Sequence, residues 1–471
     1  MRISDLINLG VEGVKFALCI VILSLLIYVI MYKLIYQKIF GGSGKIDIRK
    51  MVPNLLLALV ILVILFATLL RFGGGARQLN LIPFSSYRLA WYQFNYREWR
   101  NLILNICMFV PFGFILPFVR EEFRKSWKTY RTGLLFSLGI EVLQFIFERG
   151  IFETDDLINN LLGTMIGYGF FSLIQWIKKK KSLKEALVYQ IPLFCVVILF
   201  TTIFCLYSAK ELGNLECEYS SNYNMPEVIL NDEVKLSKDE TTVSIYKMKI
   251  ASLDETRQLA EEIFATQNKK IDENRIDIYD DTAIYYCDDS SLCVWIDFKG
   301  MTIKYTNFEL EYPEDGSECK YLIGADEDIV RESIKKIGIN IPENTVFAVD
   351  QNIYSFEIKD EVKDDGFNTG IVNCRLNDDG EVLYVYYNII SGEPYKKVDI
   401  ISSEEAYEKL CDGKFYYYNR KIESDTPYTV KAVQLTYQAD SKGFYRPVYE
   451  FELMNDGYDE AISICILAEK K

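Results

Sequence analysis

The sequence predicts a multi-pass α-helical membrane bundle of about six helices, residues 1–210, followed by an acidic extracytoplasmic α+β domain, residues 211–471. Three observations predict it. Apolar runs of spanning length crowd the first part and stop after Tyr207. Charge divides at the same place: 24 Lys+Arg face 12 Asp+Glu up to residue 210, a net of +12, then 28 face 54, a net of −26. Beyond the divide, short acidic amphipathic patterns alternate with aromatic, period-two patterns, as helices and strands of one domain do.

A bilayer core of ~30 Å takes ~20 apolar residues of helix. Six stretches qualify: 14–36, 52–71, 102–119, 131–148, 157–177 and 188–208. The first is too long for a signal-peptide core and lacks a small-residue cleavage site, so it reads as a retained helix. Loop charge orients the bundle. The basic loops are 33–50, 120–131 and 178–184, with Lys33, Lys38, Lys45, Arg124, Lys125, Lys128 and the Lys178–Lys181 run among their cations. They alternate with poorer loops, as six spans with both termini outside require, although 72–100 also holds Arg77, Arg88, Arg97 and Arg100. The expected location is the plasma membrane, with the C-terminal domain extracellular.

Ionisable residues inside membrane helices are costly and point to function. Here they fall in stripes. Ser137, Glu141, Gln144 and Glu148 share one helix face, and Asp156, Asn159, Asn160, Gly163 and Gly167 share another. Asn101 and Asn105 make a third pair. All three stripes lie toward the outer helix ends, where 72–100 and Arg149 to Asp156 would cap them. The spacing predicts an outward-opening polar pocket of carboxylates, amides and arginines. The plainer reading is glue between helices, with Glu141 and Gln144 reaching Asn105 or Asn159. Gly163 and Gly167 read as close-packing positions, and Asp155 as a cap for the helix that follows it. Trp91, Tyr92, Phe94, Tyr96 and Trp99 read as an interfacial belt. Arg88, Arg97 and Arg100 would make it a headgroup platform.

Some chemistry is excluded outright. There is no histidine, which removes Ser-His-Asp and Cys-His catalysis, His-ligated zinc and histidine pH switches. The 11 Cys include no CxxC, and seven lie in the acidic half, so they form no zinc ribbon or disulfide framework, though one or two bridges could form. No cofactor and no metal site is expected. A domain of net −26 repels nucleic acid.

In the acidic half, helices are expected at Ser252–Thr266, Asp326–Ile337 and Ser402–Leu410, each opened by a capping residue. Strands are expected at Ala283–Tyr286, Leu292–Phe298, Met301–Leu310, Ile353–Ile358, Val382–Ile390, Tyr428–Tyr437 and Val448–Leu453. Asn377 to Gly380 and Asp412-Gly413 mark turns. The pattern suggests two or three copies of one helix-and-meander unit, over 225–345 and 346–471. The acidic pairs, such as Asp288-Asp289, do not fit a calcium loop, and Phe415-Tyr416-Tyr417-Tyr418 reads as strand packing.

Several short motifs together carry a resemblance. They are Asn80-Leu81-Ile82-Pro83-Phe84, Asn101 to Asn105, Phe109-Val110-Pro111-Phe112-Gly113, Ser137 to Gln144, Arg149, and Asp155-Asp156 to Asn159-Asn160 with Gly163 and Gly167-Tyr168. In order and spacing they resemble the VanZ-like family over about residues 79–177. The resemblance implies a multi-helix membrane domain of Gram-positive bacteria, linked through its namesake to resistance to the lipoglycopeptide teicoplanin. Its pattern carries over to Asn80, Pro83, Asn105, Pro111, Gly113, Glu141, Gln144, Arg149, Asp155, Asp156, Asn159 and Gly163. The long acidic domain departs from it. Ser402–Phe415 and Tyr445 to Phe451 resemble extracytoplasmic regulatory domains that accompany cell-wall sensor kinases.

The leading expectation is an envelope-interaction protein whose pocket uses Asn80, Asn105, Glu141, Gln144, Arg149, Asp155, Asp156 and Asn159. Its partners would be membrane lipids and a lipid-linked cell-wall precursor or lipoglycopeptide, with an envelope protein as a further partner. Two alternatives stand beside it. One is a sensor anchored by the bundle. The other is an intramembrane enzyme on a lipid-linked phosphate, with Glu141, Asp155 and Asp156 around Mg²⁺.

Overall fold

The computed structural model describes residues 48–70, 78–180, 182–219, 223–279, 281–313, 319–363, 366–417, 422, 427–455 and 461–470. The chain forms two compact units, Met1–Glu211 and Leu212–Lys471.

In the first unit, α1 (Ile48–Leu65) runs into a π-helical turn, Phe66–Leu70. Then come β1 (Leu79–Asn80), α2 (Ser85–Gln93) and α3 (Tyr96–Val119). They are followed by α4 (Ser126–Ile146), β2 (Phe152–Glu153), α5 (Thr154–Ile177), α6 (Leu183–Val188) and α7 (Ile191–Ala209). Among the described residues, four helices are long and apolar enough to cross a membrane: Met51–Leu69, Arg97–Val119, Thr154–Ile177 and Leu183–Ala209. The expected span 14–36 lies outside the described residues. The expected span 131–148 does form, as α4, but Arg131, Ser137, Glu141 and Gln144 dilute its apolar character and it falls short of the other four. It also ends at Ile146, so Glu148 is not on the helical stripe.

Glycines let α3 and α5 touch backbone to backbone. A Cβ on Gly163 would sit 2.0 Å from the Ile106 carbonyl oxygen, and one on Gly167 2.1 Å from that of Val110. On the α3 side, a Cβ on Gly113 would meet the Thr164 carbonyl at 2.1 Å. The 78–100 stretch is not an open aromatic belt. Trp99 is buried with Ala90 and Leu102 against Phe200 and Ile203 of α7, and Phe94 stacks on Tyr207. Burying these rings between helices removes more apolar surface from the polar boundary than laying them along it would.

The second unit is dominated by a thirteen-stranded sheet. Its central strand, β12 (Val382–Asp399), pairs through Tyr384–Tyr387 with β8 (Ile303–Asn307) and through Gly392–Asp399 with β4 (Thr242–Met248). Two hydrophobic cores flank that strand. One packs α8 (Leu253–Thr266) and α10 (Glu327–Lys336) on β5–β8 and β9–β12. These strands are β5 (Ile271–Ile278), β6 (Thr282–Cys287), β7 (Leu292–Asp297), β9 (Val346–Asp350), β10 (Ile353–Lys363) and β11 (Gly366–Leu376). The other packs α11 (Ser403–Cys411) on β3 (Val228–Leu230), β13 (Tyr428–Ala439), β14 (Phe444–Asn455) and β15 (Ile462–Leu467). The division between the cores falls within β12 rather than at residue 346.

The three expected helices form, and Ser252 with Glu255 closes a capping box. Met301–Leu310 is strand only to Asn307. The Asn307 side chain then accepts the Leu310 N–H and starts a short helix, α9 (Phe308–Glu311). The turn at Asn377–Gly380 closes through the Gly380 N–H on the Asn377 carbonyl, with Gly380 at φ +80°. Cys217, Cys287, Cys293, Cys319, Cys374, Cys411 and Cys465 are all free thiols.

Candidate functional site

The polar stripes of the first unit meet around the start of α5. β1 and β2 pair in parallel, Leu79 with Phe152 and Asn80 with Glu153, which brings the 78–86 segment beside the α4–α5 connection. The Phe152 N–H donates to the Gln78 carbonyl at 3.0 Å.

Asp155 holds the segment in place. Its Oδ1 accepts the Phe84 N–H at 2.5 Å and its Oδ2 the Ser86 N–H at 2.8 Å. These are free amides at the N-terminus of α2, where Phe84, at φ +61°, offers no side-chain cap. The carboxylate thus caps a helix about seventy residues earlier in the chain, not the one it was expected to serve. Free N–H groups and the helix dipole both favour an anion there.

Around that clamp the other acids and amides gather. The Ser86 hydroxyl donates to Glu153 Oε2 at 3.0 Å. The Glu153 N–H donates to Glu141 Oε2 at 3.1 Å, and Glu141 is 1% exposed. Asn105 Nδ2 donates to Asp156 Oδ1 at 2.5 Å, joining α3 to α5. The Tyr87 hydroxyl donates to Asn159 Oδ1, and Asn159 Nδ2, fully buried, has no partner among the described residues. Asn80 Nδ2 donates to the Ser85 hydroxyl at 2.8 Å.

Six of the eight expected residues, Asn80, Asn105, Glu141, Asp155, Asp156 and Asn159, therefore share one linked neighbourhood. Gln144 turns away to α1, donating to the Thr68 carbonyl at 3.2 Å. Arg149 stands exposed in the α4–β2 turn, where its N–H donates to the Gln144 carbonyl. Asn101 points outward. Glu141 and Gln144 do not bridge to Asn105 or Asn159; the glue between α4 and α5 is Asn160 Nδ2 donating to the Ser137 hydroxyl at 2.9 Å. Sequence reasoning missed Ser86, Tyr87 and Glu153. Ser86 and Tyr87 follow the Asn80–Phe84 motif directly, and Glu153 directly precedes the Asp155 pair, so adjacency was the available signal.

The arrangement is four carboxylates, Glu141, Glu153, Asp155 and Asp156, tied by hydroxyl, amide and backbone donors. The carboxylate oxygens of Glu141, Asp155 and Asp156 do not all lie within 4.8 Å of one another. Both Asp155 oxygens are committed to backbone amides. Among the described residues, the one group of Cys, Asp and Glu ligand atoms lying mutually within 4.8 Å is Cys287, Asp288 and Asp289, in the other unit. There Asp289 is ion-paired with Lys269, which holds its carboxyl well below the usual range, and burial pushes the Cys287 thiol up.

Comparisons with known proteins meet this region. Residues 54–175 match the family described as VanZ/LLP1. The chain is 30% identical over 159 residues to the protein VanZ of Enterococcus faecium, a match covering 33% of this chain and 92% of that protein. Solved structures were also matched, two of which follow. An uncharacterized protein from Eubacterium rectale is 11% identical at a TM-score of 0.28, covering 52% of this chain and 88% of that one. The YpeB C-terminal domain of Bacillus megaterium is 15% identical at 0.23, covering 47% and 95%. At such TM-scores neither likeness carries an argument.

Proposed function

The chain belongs to the VanZ family, and on that footing we propose that it is an envelope protein of the plasma membrane. On this reading the carboxylate-and-amide neighbourhood at the start of α5 engages a lipid-linked cell-wall component, or a lipoglycopeptide of the teicoplanin type, at the outer leaflet. The observation that carries the reading is the Asp155 clamp. A buried carboxylate spent on two backbone amides of a distant segment is a costly way to stabilise a helix bundle. It suits a protein that needs that segment fixed over Glu141, Asp156 and Asn159.

The topology that fits has six spans with the basic loops 33–50, 120–131 and 178–184 in the cytoplasm. Residues 211–471 are then extracellular. Protease added to intact cells should remove the acidic unit; protection of that unit until the cells are opened would reverse the orientation.

The functional test is teicoplanin susceptibility of a sensitive Gram-positive host with and without the protein. A rise in resistance that Glu141→Gln abolishes at matched membrane expression supports the reading. Resistance indifferent to Glu141→Gln would leave the family role standing and remove this neighbourhood from it.

A further inference from the structure

The second unit carries an aromatic and cationic strip on the sheet face turned away from α8 and α10. On β7 the side chains of Leu292, Val294 and Ile296 enter the core under those helices, so Trp295, alternating with them, faces the other way. Register then aligns Trp295 with Lys304 and Lys304 with Tyr386, while Tyr384 lies diagonally beside them on β12. The Lys304 ammonium lies 5.3 Å from the Trp295 ring centroid and 5.9 Å from that of Tyr384. Trp295 is 39% exposed. Among the described residues no carboxylate pairs with Lys304. The adjacent Arg375, by contrast, lies over Tyr384 but is neutralised by Glu311 at 2.6 Å. Acidic side chains outnumber basic ones almost two to one in this half, so an ammonium left unpaired between two rings stands out.

We propose that this strip binds an acidic oligosaccharide, with sugar faces on Trp295 and Tyr384 and a carboxylate received by Lys304 between them. The reasoning goes beyond the membrane reading and does not depend on it. Strands are ~4.8 Å apart, so rings on β7 and β12 with Lys304 on the strand between them stand roughly 10 Å apart across the sheet. That suits stacking of successive rings of a chain on rigid platforms. The partly exposed neighbours Asn373 and Ser355 on the same face are polar and neutral, suited to hydroxyls rather than to an apolar peptide. One unpaired cation on the strip, in a unit of net −26, favours a sparsely charged ligand over a dense polyanion, which the whole domain repels.

Trp295 is the only one of the chain's five tryptophans that lies between residues 211 and 471, so an emission change on binding is assigned to this strip when Trp295→Phe abolishes it. The full chain in detergent micelles is titrated by calorimetry and fluorescence with three probes. They are the disaccharide of N-acetylglucosamine and N-acetylmuramic acid, the neutral N-acetylglucosamine disaccharide, and polyphosphate. The acidic disaccharide should bind tighter than the neutral one by roughly fivefold, the upper end for an exposed ion pair. Lys304→Gln should erase that preference while both sugars still bind, and Lys304→Arg should retain it. Trp295→Phe should weaken both sugars alike. Equal affinity for the two disaccharides, a preference that survives Lys304→Gln, polyphosphate binding tightest, or no binding by either sugar at millimolar concentration would each overturn the proposal. Lys304 is exposed, so its substitution leaves packing intact, and an unchanged melting temperature checks this.

Discussion

Each unit buries a charge, and the two neutralise it by different means. In the first, Asp155 is 1% exposed and met by the backbone amides of Phe84 and Ser86. In the second, Arg446 is 5% exposed and met by Glu218 at 2.9 Å, Glu469 at 2.5 Å and the Gly213 carbonyl at 3.2 Å. Backbone amides fix a chain segment without adding a counter-charge to the neighbourhood. Side-chain partners instead make a closed cluster that staples β14 to the incoming segment 213–218 and to the chain end. The first arrangement fixes one segment against a helix start; the second ties several strands and segments together.

The comparison breaks most visibly at Arg446. Arg446→Met should cost about 3–5 kcal/mol, because Glu218 and Glu469 are left buried without a cation. Hydrogen exchange along β13–β15 should rise sharply; protection within a few-fold of the parent would mean the staple is dispensable.

Asp155→Asn should cost about 1.5–3 kcal/mol, the worth of one hydrogen bond to a charged group, since an amide accepts from only one side. Its signature is local: exchange and proteolysis should increase at 78–93 while the second unit is unchanged. A global loss would make Asp155 a general stabiliser like Arg446.

Gly163→Ala tests whether the site depends on the helix seam beneath it. The added methyl cannot fit against the Ile106 carbonyl, so α3 and α5 must separate, at about 1–3 kcal/mol. The Asn105–Asp156 bond spans the same helices and should loosen with it. Denaturation in mixed micelles measures the first effect, and teicoplanin susceptibility at matched expression reports the second.

The smallest effect is a titration in the second unit. Lys249 foremost, with the Ser252 cap, holds the Glu255 carboxyl down to about 2 from an ordinary 4.5. A depressed folded value contributes stability that is complete above 4.5 and lost as pH falls through about 2. Glu255→Gln should flatten the stability profile across that window, slightly lowering stability near neutrality and leaving it unchanged below about 2. An unaltered acid limb would show that the exposed pair contributes nothing.

Much of this was legible in the residues. Capping at Ser252 and Ser402, the turn at Gly380 and strands such as Leu292–Asp297 are local events, specified by neighbours a few positions apart. The strand over Thr242–Met248 and the polar edge strand Ile271–Ile278 were not, because their apolar alternation is weak and pairing decides them. Within the site, the helix stripes announced Glu141, Asp156 and Asn159. The partners of each side chain stayed hidden, since a periodicity gives a face and not what it meets.

The sequence by itself determined the membrane character of the first part, the divide in charge near residue 210, and the glycine seam, because hydropathy, charge and side-chain size are properties of residues. Only the tertiary structure decided that Asp155 caps α2 rather than its own helix, that Gln144 leaves the cluster for Thr68, and that Trp295 and Tyr384 flank Lys304. Each is a contact between segments far apart in the chain, fixed by where packing brings free amides, carbonyls and ring faces together.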